Sequence, residues 1–236
     1  MNAPPVVGVL GGSFDPVHVG HLALAEAVRR ALPLSRVLLL PCAVPPHKPQ
    51  RLLGAAEHRA AMLRLALEDH PGLELCTLEL ERGGVCYTID TLRTLRRSQP
   101  PRDPVFLLGM DSLVELPTWR FYPQLLAEFD WVALDRAGSE LEQVRSRLDE
   151  EVLSRLRPDL SGLGDRPLGS GGRVLHLAVT PPDVSSSEVR ARAAASESLD
   201  GLVPPAVARY IHREGLYRPR RSVPDESDPS GDRSVR

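Results

Sequence analysis

Apolar and polar residues along this chain are arranged in short apolar runs that alternate with longer runs of helical composition. The short runs predict buried strands at residues 6–10, 36–41, 73–80, 104–109, 130–136 and 173–179. The longer runs predict helices at residues 21–32, 57–69, 88–97, within 118–129, and at 139–156, 185–196 and 204–214. A strand, a helix and a second strand in close succession form a βαβ unit, which requires parallel strands. We therefore expect an α/β protein with a doubly wound parallel sheet, helices on both faces and a small C-terminal helical part.

Two segments depart from this alternation. Residues 157–172 are rich in Gly, Pro and Asp, which predicts a surface loop or insertion. Residues 218–236 have almost no apolar content and predict a disordered tail. The whole chain has 236 residues, of which 42% are hydrophobic. The part that precedes the tail is long enough for a substantial core. We expect one domain over residues 1–217, followed by the tail.

Charge and cysteine content narrow the functional class. The net charge is −2 and the pI is near 6.4, so the strongly basic balance of a nucleic-acid-binding domain is absent. The three cysteines (Cys42, Cys76 and Cys86) have no CxxC spacing, which favours a reducing compartment over a disulfide framework. There is no apolar run of transmembrane length and no basic stretch before the first strand that would suggest a signal peptide. We expect a cytoplasmic protein that binds neither membranes nor nucleic acids.

The segment GGSFDPVHVGH (residues 11–21) joins the first predicted strand to the first predicted helix. Glycines at the end of a strand permit a tight turn and close approach of a ligand. The free backbone N–H groups at the start of the helix favour phosphate. His18 and His21 therefore stand beside an anion site, where each imidazole can donate a hydrogen bond to a phosphate oxygen.

Two other interpretations of this turn fit less well. A dinucleotide-binding site expects G-x-G-x-x-G, whereas the glycines here fall at 8, 11 and 12 and the second strand ends in proline rather than an acidic residue. A zinc site built on His18 and His21 lacks a third ligand at a suitable spacing. We predict no bound metal held by protein side chains alone.

The eleven residues 11–21 resemble the (H/T)xGH signature of the nucleotidyltransferase superfamily, and most closely that of bacterial nicotinate-nucleotide adenylyltransferases. Further segments resemble that family in the expected order: VPPHKP (44–49), HRAAMLRLA (58–66), YTIDTL (87–92), GMDSLVELPTW (109–119), VSSSEVR (184–190) and LVPPAVARYIHREGLY (202–217). The resemblance covers about residues 6–217. It departs from the family pattern in the loop 157–172, in the tail and at Ser187, where threonine is usual and a hydroxyl is retained.

This resemblance implies a Rossmann-like fold and transfer of the adenylyl group of ATP to nicotinate mononucleotide, giving deamido-NAD and pyrophosphate. The attacking phosphate is already an anion, so positioning and charge stabilisation should dominate catalysis, with Mg²⁺ accompanying ATP. The residues expected to be catalytic are His18, His21, Lys48 and Arg190. Those expected to bind ATP are Gly11, Gly12, Ser13, Phe14, His18, His21, Gly109, Asp111, Ser186, Ser187 and Arg190.

The resemblance also implies a set of residues for the mononucleotide: Asp15, Lys48, Tyr87, Thr88, Asp111, Trp119 and Arg136. Asp111 is expected to bond a ribose hydroxyl, Trp119 to stack on the pyridine ring, and the helix start at Thr88 to present N–H groups to the carboxylate. Structural roles remain open: a helix cap for Asp111, a core position for Trp119, and a solvated loop position for Lys48, the only lysine in the chain. Trp131, within an apolar strand, is predicted to be core.

Several alternatives stay open at this stage. Phosphopantetheine adenylyltransferases share the superfamily signature, although they typically have T-x-N-G-H and shorter chains. A non-catalytic nucleotide-binding module is a second alternative, although no expected catalytic group is missing. An RNA-interacting enzyme with the HxGH signature is a third, but the chain has no KMSKS-like segment. We expect ATP and nicotinate mononucleotide as the partners, and the sequence leaves homo-oligomerisation open.

Overall fold

Seven parallel strands form one sheet within the part of the chain that the structure describes. The computed structural model describes residues 6–44, 53–98, 103–135, 140–157, 160, 163 and 166–218. The strands are β1 (Val6–Gly12), β2 (Leu34–Pro41), β3 (Leu73–Leu75), β4 (Val105–Gly109), β5 (Asp130–Asp135), β6 (Leu156–Arg157) and β7 (Val174–Ala178). Their order across the sheet is β3-β2-β1-β4-β5-β7-β6, and all adjacent pairs are parallel. The expected doubly wound parallel sheet is confirmed.

Helices cover both faces of this sheet. They are α1 (Val19–Ala31), α2 (Ala56–Leu67), α3 (Leu78–Arg82), α4 (Thr88–Ser98), α5 (Met110–Glu115), α6 (Tyr122–Glu128), α7 (Glu140–Val144), α8 (Glu150–Arg155), α9 (Ser186–Ala194) and α10 (Pro205–Arg213). Short 3₁₀ turns follow α5 at Leu116–Thr118 and α7 at Arg145–Arg147. The C-terminal helices expected near 185–196 and 204–214 are therefore present as α9 and α10.

The sheet separates two hydrophobic cores. Side chains alternate along a strand, so neighbours such as Val9 and Leu10 in β1 point to opposite faces. One face is covered by α1, α2, α9 and α10. The other face is covered by α4, α5, α6, α7 and α8, and Trp131 lies fully buried there, as predicted. We call these the α1 face and the α4 face.

The chain reverses its direction of travel across the sheet between β1 and β4. Strands β1, β2 and β3 follow one another outward on one side, whereas β4 pairs with the opposite edge of β1 and leads to β5. In open parallel sheets, ligands bind in the crevice at the carboxyl ends of the strands flanking such a reversal. The segments that follow Gly12 and Gly109 therefore flank the expected ligand site.

The strand predicted at residues 73–80 is wrong beyond Leu75. The alternation of leucine and glutamate suits a strand, but residues Leu78–Arg82 form helix α3. Glu79 points inward with 6% exposure, and its Oε1 accepts a hydrogen bond from the Thr91 hydroxyl of α4 at 2.8 Å. The Glu79 carboxylate thus contacts a helix that is distant in sequence. The local pattern of residues 73–80 does not encode this contact.

The single helix predicted at residues 139–156 is also wrong, because the chain breaks between α7 and α8. Leu148 is extended and buried, and Asp149 begins a new helix. The Asp149 Oδ1 accepts the Glu151 backbone N–H at 2.9 Å and the Tyr122 hydroxyl at 2.6 Å. An aspartate that caps one helix while bonding a tyrosine of another stabilises the break.

The loop predicted at residues 157–172 is anchored to the sheet in its described part. Asp130, at the start of β5, is fully buried, and its Oδ2 accepts the Gly169 N–H at 2.9 Å. The Arg173 guanidinium donates to the same carboxylate, with Nη2 2.8 Å from Oδ2. The loop also contains Arg157, which belongs to β6. The tail from residue 219 onward lies outside the described residues.

Candidate functional site

A cavity of about 920 Å³ opens at the carboxyl ends of β1 and β4, where the sheet order reverses. It is lined by these predicted site residues: Gly11, Gly12, Ser13, His21, Thr88, Gly109, Asp111 and Trp119. It is also lined by side chains that the sequence did not single out, among them Cys42, Glu79, Cys86, Gln143 and Arg147. The cavity therefore brings together residues predicted for ATP and for the mononucleotide.

Glycines at the end of β1 make room for two aromatic rings that pack against the turn. A Cβ on Gly11 would lie 2.9 Å from Cζ of Phe106, and one on Gly12 would lie 3.1 Å from Cζ of Phe14. Both distances are shorter than ordinary van der Waals contact, so a side chain at either position would displace an aromatic ring. The glycine turn predicted from the sequence thus has a steric cause.

His18 and His21 are arranged as a coupled pair at the start of α1. The His18 backbone N–H donates to Nδ1 of His21 at 3.3 Å, and the two rings lie with centroids 3.6 Å apart. A backbone N–H can only donate, so Nδ1 of His21 is the acceptor and the neutral ring carries its proton on Nε2. Nε2 of His21 is therefore the N–H donor of the ring, on the edge away from the backbone, and this residue lines the cavity.

Gly20 gives His18 the space that this arrangement needs. A Cβ at residue 20 would lie 3.0 Å from Nδ1 of His18 and 3.1 Å from the Pro182 carbonyl oxygen. The His18 side chain is buried, with 7% exposure, and it does not line the cavity. The predicted contact of His18 with ATP stays a prediction, whereas His21 reaches the cavity directly.

Phe14 and Asp15 are buried residues of the turn between β1 and α1, and their side-chain contacts stabilise it. Phe14 is 1% exposed, has a left-handed φ of 46°, and places its ring edge-on to His21 at a centroid distance of 4.9 Å. Asp15 is 2% exposed and accepts the Gly54 N–H at 3.1 Å and the Tyr217 hydroxyl at 2.8 Å. Neither lines the cavity, so their predicted ligand contacts stay predictions while their structural role is clear.

The segment preceding and starting α9 packs against this same turn. The Ser186 hydroxyl donates to the Pro16 carbonyl at 2.9 Å, and the Arg190 guanidinium donates to the Asp15 carbonyl at 2.7 Å. Arg190 also donates to the Ser187 hydroxyl at 3.0 Å. The fold thereby unites two segments that are about 170 residues apart and that the sequence assigned to the same phosphates. These three side chains do not line the cavity itself.

Four of the predicted mononucleotide residues belong to segments that cover the α4 face: Tyr87, Thr88, Asp111 and Trp119. Thr88 is the first residue of α4, and Asp111 is exposed in the first turn of α5, a helix that the sequence analysis did not identify. Trp119 is half-buried and meets Phe106 edge-on, with centroids 6.0 Å apart. Tyr87 lies under the Arg120 guanidinium at 4.5 Å and does not line the cavity. Lys48 and Arg136 lie outside the described residues.

Arg59 is a residue of the site region that the sequence analysis missed. It is 1% exposed and donates to three carbonyls: Gly54 at 2.9 Å, Ser13 at 2.9 Å and Cys42 at 2.8 Å. It therefore ties the turn after β1 to the chain after β2 and before α2. The HRAAMLRLA segment contained it, but the carbonyls it binds are distant in sequence, so no local pattern signals its role.

Burial shapes the ionisation of acidic groups beside the cavity. Desolvation raises the pKa of the Glu79 carboxyl above its ordinary value, partly opposed by the hydrogen bond from Thr91 and the charge of Arg82. Desolvation also raises the pKa of the Cys86 thiol, and the neighbouring Glu79 adds to that rise. Both groups line the cavity, so burial favours their neutral forms there.

Within the described ranges of the chain, no three His, Cys, Asp or Glu side chains lie close enough together to hold a metal ion. None of the helices described there has the length and apolar character needed to span a bilayer.

Comparison with known proteins gives a consistent result. The Cytidylyltransferase-like family model matches residues 9–192. A relative from Symbiobacterium thermophilum, named probable nicotinate-nucleotide adenylyltransferase, is 42% identical over 89% of this chain and 94% of its own. A relative of the same name from Cronobacter sakazakii is 39% identical over 92% of this chain and 97% of its own. Nicotinic acid mononucleotide adenylyltransferase from Plasmodium falciparum, solved with NaAD, has the same fold, with a TM-score of 0.64 at 19% identity, covering 90% of this chain and 97% of that one.

Proposed function

This chain belongs to the nicotinate-nucleotide adenylyltransferase family, and we propose that it transfers the adenylyl group of ATP to nicotinate mononucleotide. The products are deamido-NAD and pyrophosphate. The reaction is a step of NAD biosynthesis.

The observation that carries this proposal is the composition of the cavity. The end of the cavity beside β1 is lined by the glycine turn and His21. The end beside α4 is lined by Thr88, Asp111 and Trp119. One end offers hydrogen-bond donors suited to phosphate, and the other offers an indole face and a carboxylate suited to a ring and a ribose. Two ligands that must react with each other would meet between them.

We propose that the β1 end holds the triphosphate for in-line displacement. A phosphate oxygen of the mononucleotide attacks the α-phosphorus, and the bond from that phosphorus to the bridging oxygen of the leaving pyrophosphate breaks. The His21 Nε2–H would donate to a phosphate oxygen as negative charge shifts toward the leaving group. The ordered pair of His18 and His21 supplies this donor in a fixed orientation, which reduces reorganisation during the step.

We propose that Arg190, Ser186 and Ser187, which lie beside the turn after β1 and do not line the cavity itself, contribute to the same phosphate site. The Arg190 guanidinium has five N–H donors, and its described bonds to Asp15 and Ser187 leave further donors for an anion. We propose that Lys48 contributes a compact positive charge to the same phosphates. Mg²⁺ would enter with ATP as part of the substrate, where it neutralises phosphate charge.

We propose that the acceptor end favours the acid form of the mononucleotide over the amide. We propose that the backbone N–H groups at the start of α4, beside Thr88, receive the ring carboxylate, while Trp119 stacks on the pyridine. Asp111 would accept a ribose hydroxyl. A cytoplasmic location fits this proposal, since the three cysteines are free thiols suited to a reducing compartment.

The direct test is to identify the product. Purified protein is incubated with MgATP and nicotinate mononucleotide, pyrophosphate is assayed, and the dinucleotide is identified by mass spectrometry. The proposal predicts equal amounts of pyrophosphate and deamido-NAD. Turnover with 4′-phosphopantetheine instead would indicate another superfamily activity, and ATP binding without turnover of any acceptor would indicate a non-catalytic module.

A further inference from the structure

Arg147 stands apart in the charge distribution of the cavity. Among the described residues that line it, Arg147 is the single arginine or lysine, whereas Glu79 and Asp111 contribute carboxyl groups. The cavity is proposed to hold two phosphorylated ligands. The exposed carboxylate of Asp111 would repel a phosphate bound nearby unless a cation offsets it.

The local structure directs Arg147 toward the cavity. Gln143, Val144 and Arg147 all line it, and their spacing places them on one side of the segment formed by α7 and the following 3₁₀ turn. Arg145, in the same turn, is exposed but does not line the cavity. No hydrogen bond or ion pair from the Arg147 side chain to another described residue competes for its donors.

The segment that carries Arg147 is held in place by buried contacts. Leu141, Val144 and Leu148 are buried and belong to the core of the α4 face. At the start of α7, the Leu141 N–H donates to Oδ2 of Asp135 at 3.2 Å, and His176 contacts the same oxygen at 3.1 Å. The cation is therefore presented from an anchored segment.

The position of this segment indicates which ligand Arg147 serves. It covers the α4 face, together with Thr88 of α4 and the Trp119 region, whereas His21 and Arg190 belong to helices of the α1 face. We propose that Arg147 binds the 5′-phosphate of the mononucleotide. This inference rests on the proposed function, and it assigns a phosphate contact to the acceptor side that is separate from the predicted triphosphate residues.

The test compares Arg147→Gln with Arg145→Gln, which removes the same charge from the same turn without altering the cavity wall. Binding of nicotinate mononucleotide and ATP is measured by titration calorimetry, and KM values are measured for both. Arg147→Gln should weaken mononucleotide binding about tenfold, as expected for loss of a charged hydrogen bond, and leave ATP binding within about twofold. Arg145→Gln should match the wild type.

Nicotinate riboside, which lacks the phosphate, separates phosphate recognition from other effects. Its binding should be equal in the wild type and Arg147→Gln. Equal weakening of riboside and mononucleotide would overturn the assignment, because the contact would then be to the ring or ribose. Weakened ATP binding, or the same loss in Arg145→Gln, would also overturn it. Because binding is measured directly, absent turnover in the wild type would refute the proposed function without obscuring this result.

Discussion

Replacing Arg59 with methionine tests whether one buried guanidinium holds the site region together. The arginine is 1% exposed and donates to the Gly54, Ser13 and Cys42 carbonyls at 2.8–2.9 Å. Methionine fills part of the same space but leaves three buried acceptors without this donor. We expect Arg59→Met to lower the free energy of unfolding and to disturb the turn that contains Ser13.

The magnitude follows from the number and type of bonds. Hydrogen bonds to charged groups contribute about 1.5–3 kcal/mol each, so the three together set an upper range of about 4.5–9 kcal/mol. Returning the guanidinium to water in the unfolded state recovers part of its desolvation cost. Since removing one partner from a buried charged network typically costs about 3–5 kcal/mol, we expect a loss in that range.

The assay is urea unfolding at constant pH, with Arg64→Met as the matched control. Arg64 lies on the same helix α2 but is exposed, so its replacement should change the free energy of unfolding by less than about 0.5 kcal/mol. Arg59→Lys retains charge and some donors and should fall between wild type and Arg59→Met. A loss below about 1 kcal/mol in Arg59→Met would refute the reasoning, because the three bonds would then contribute little.

Four further predictions concern the site and its surroundings. His21→Ala should lower kcat about 10²–10³-fold with the fold intact by circular dichroism, and near-normal turnover would remove this side chain from catalysis. Lys48→Ala should raise the KM for ATP or lower kcat, and no change in either would leave it a surface lysine. Trp119→Ala should weaken mononucleotide binding roughly 2–10-fold, whereas selective loss of ATP binding would place it at the other end of the cavity. Glu79→Gln should flatten the pH dependence of stability. Burial raises the pKa of the Glu79 carboxyl in the folded state, so the folded protein binds more protons than the unfolded chain. In the wild type, the free energy of unfolding should therefore fall as pH rises from about 4.5 through the folded-state pKa. A wild-type slope in that variant over this interval would contradict the assignment.

The sheet and the glycine turn after β1 were predictable because their signals are local. Apolar runs separated by helices define a parallel sheet, and GGSFDPVHVGH places glycines and histidines directly at a strand-to-helix junction. The structure adds the physical reason for Gly20, whose missing side chain makes room for His18.

The errors arise where distant contacts decide local structure. The pattern around Glu79 predicts a polar position in a strand. In the structure, Glu79 lies in helix α3, where its carboxylate accepts a hydrogen bond from Thr91. Asp149 lies within an apparently continuous helix, yet it caps a new one and bonds Tyr122. Arg59 had no visible role until three separate loops were brought around it. Such contacts depend on the assembled fold and leave no periodic signal in the sequence.

The most direct test of the central claim is acceptor selectivity. Steady-state pyrophosphate release is measured with nicotinate mononucleotide and nicotinamide mononucleotide as parallel acceptors, each with saturating MgATP. The account predicts a much larger kcat/KM for the acid, because backbone N–H groups at the start of α4 would favour a carboxylate over an amide. Equal use of both acceptors would contradict that account of recognition, and no release with either would contradict the proposed reaction.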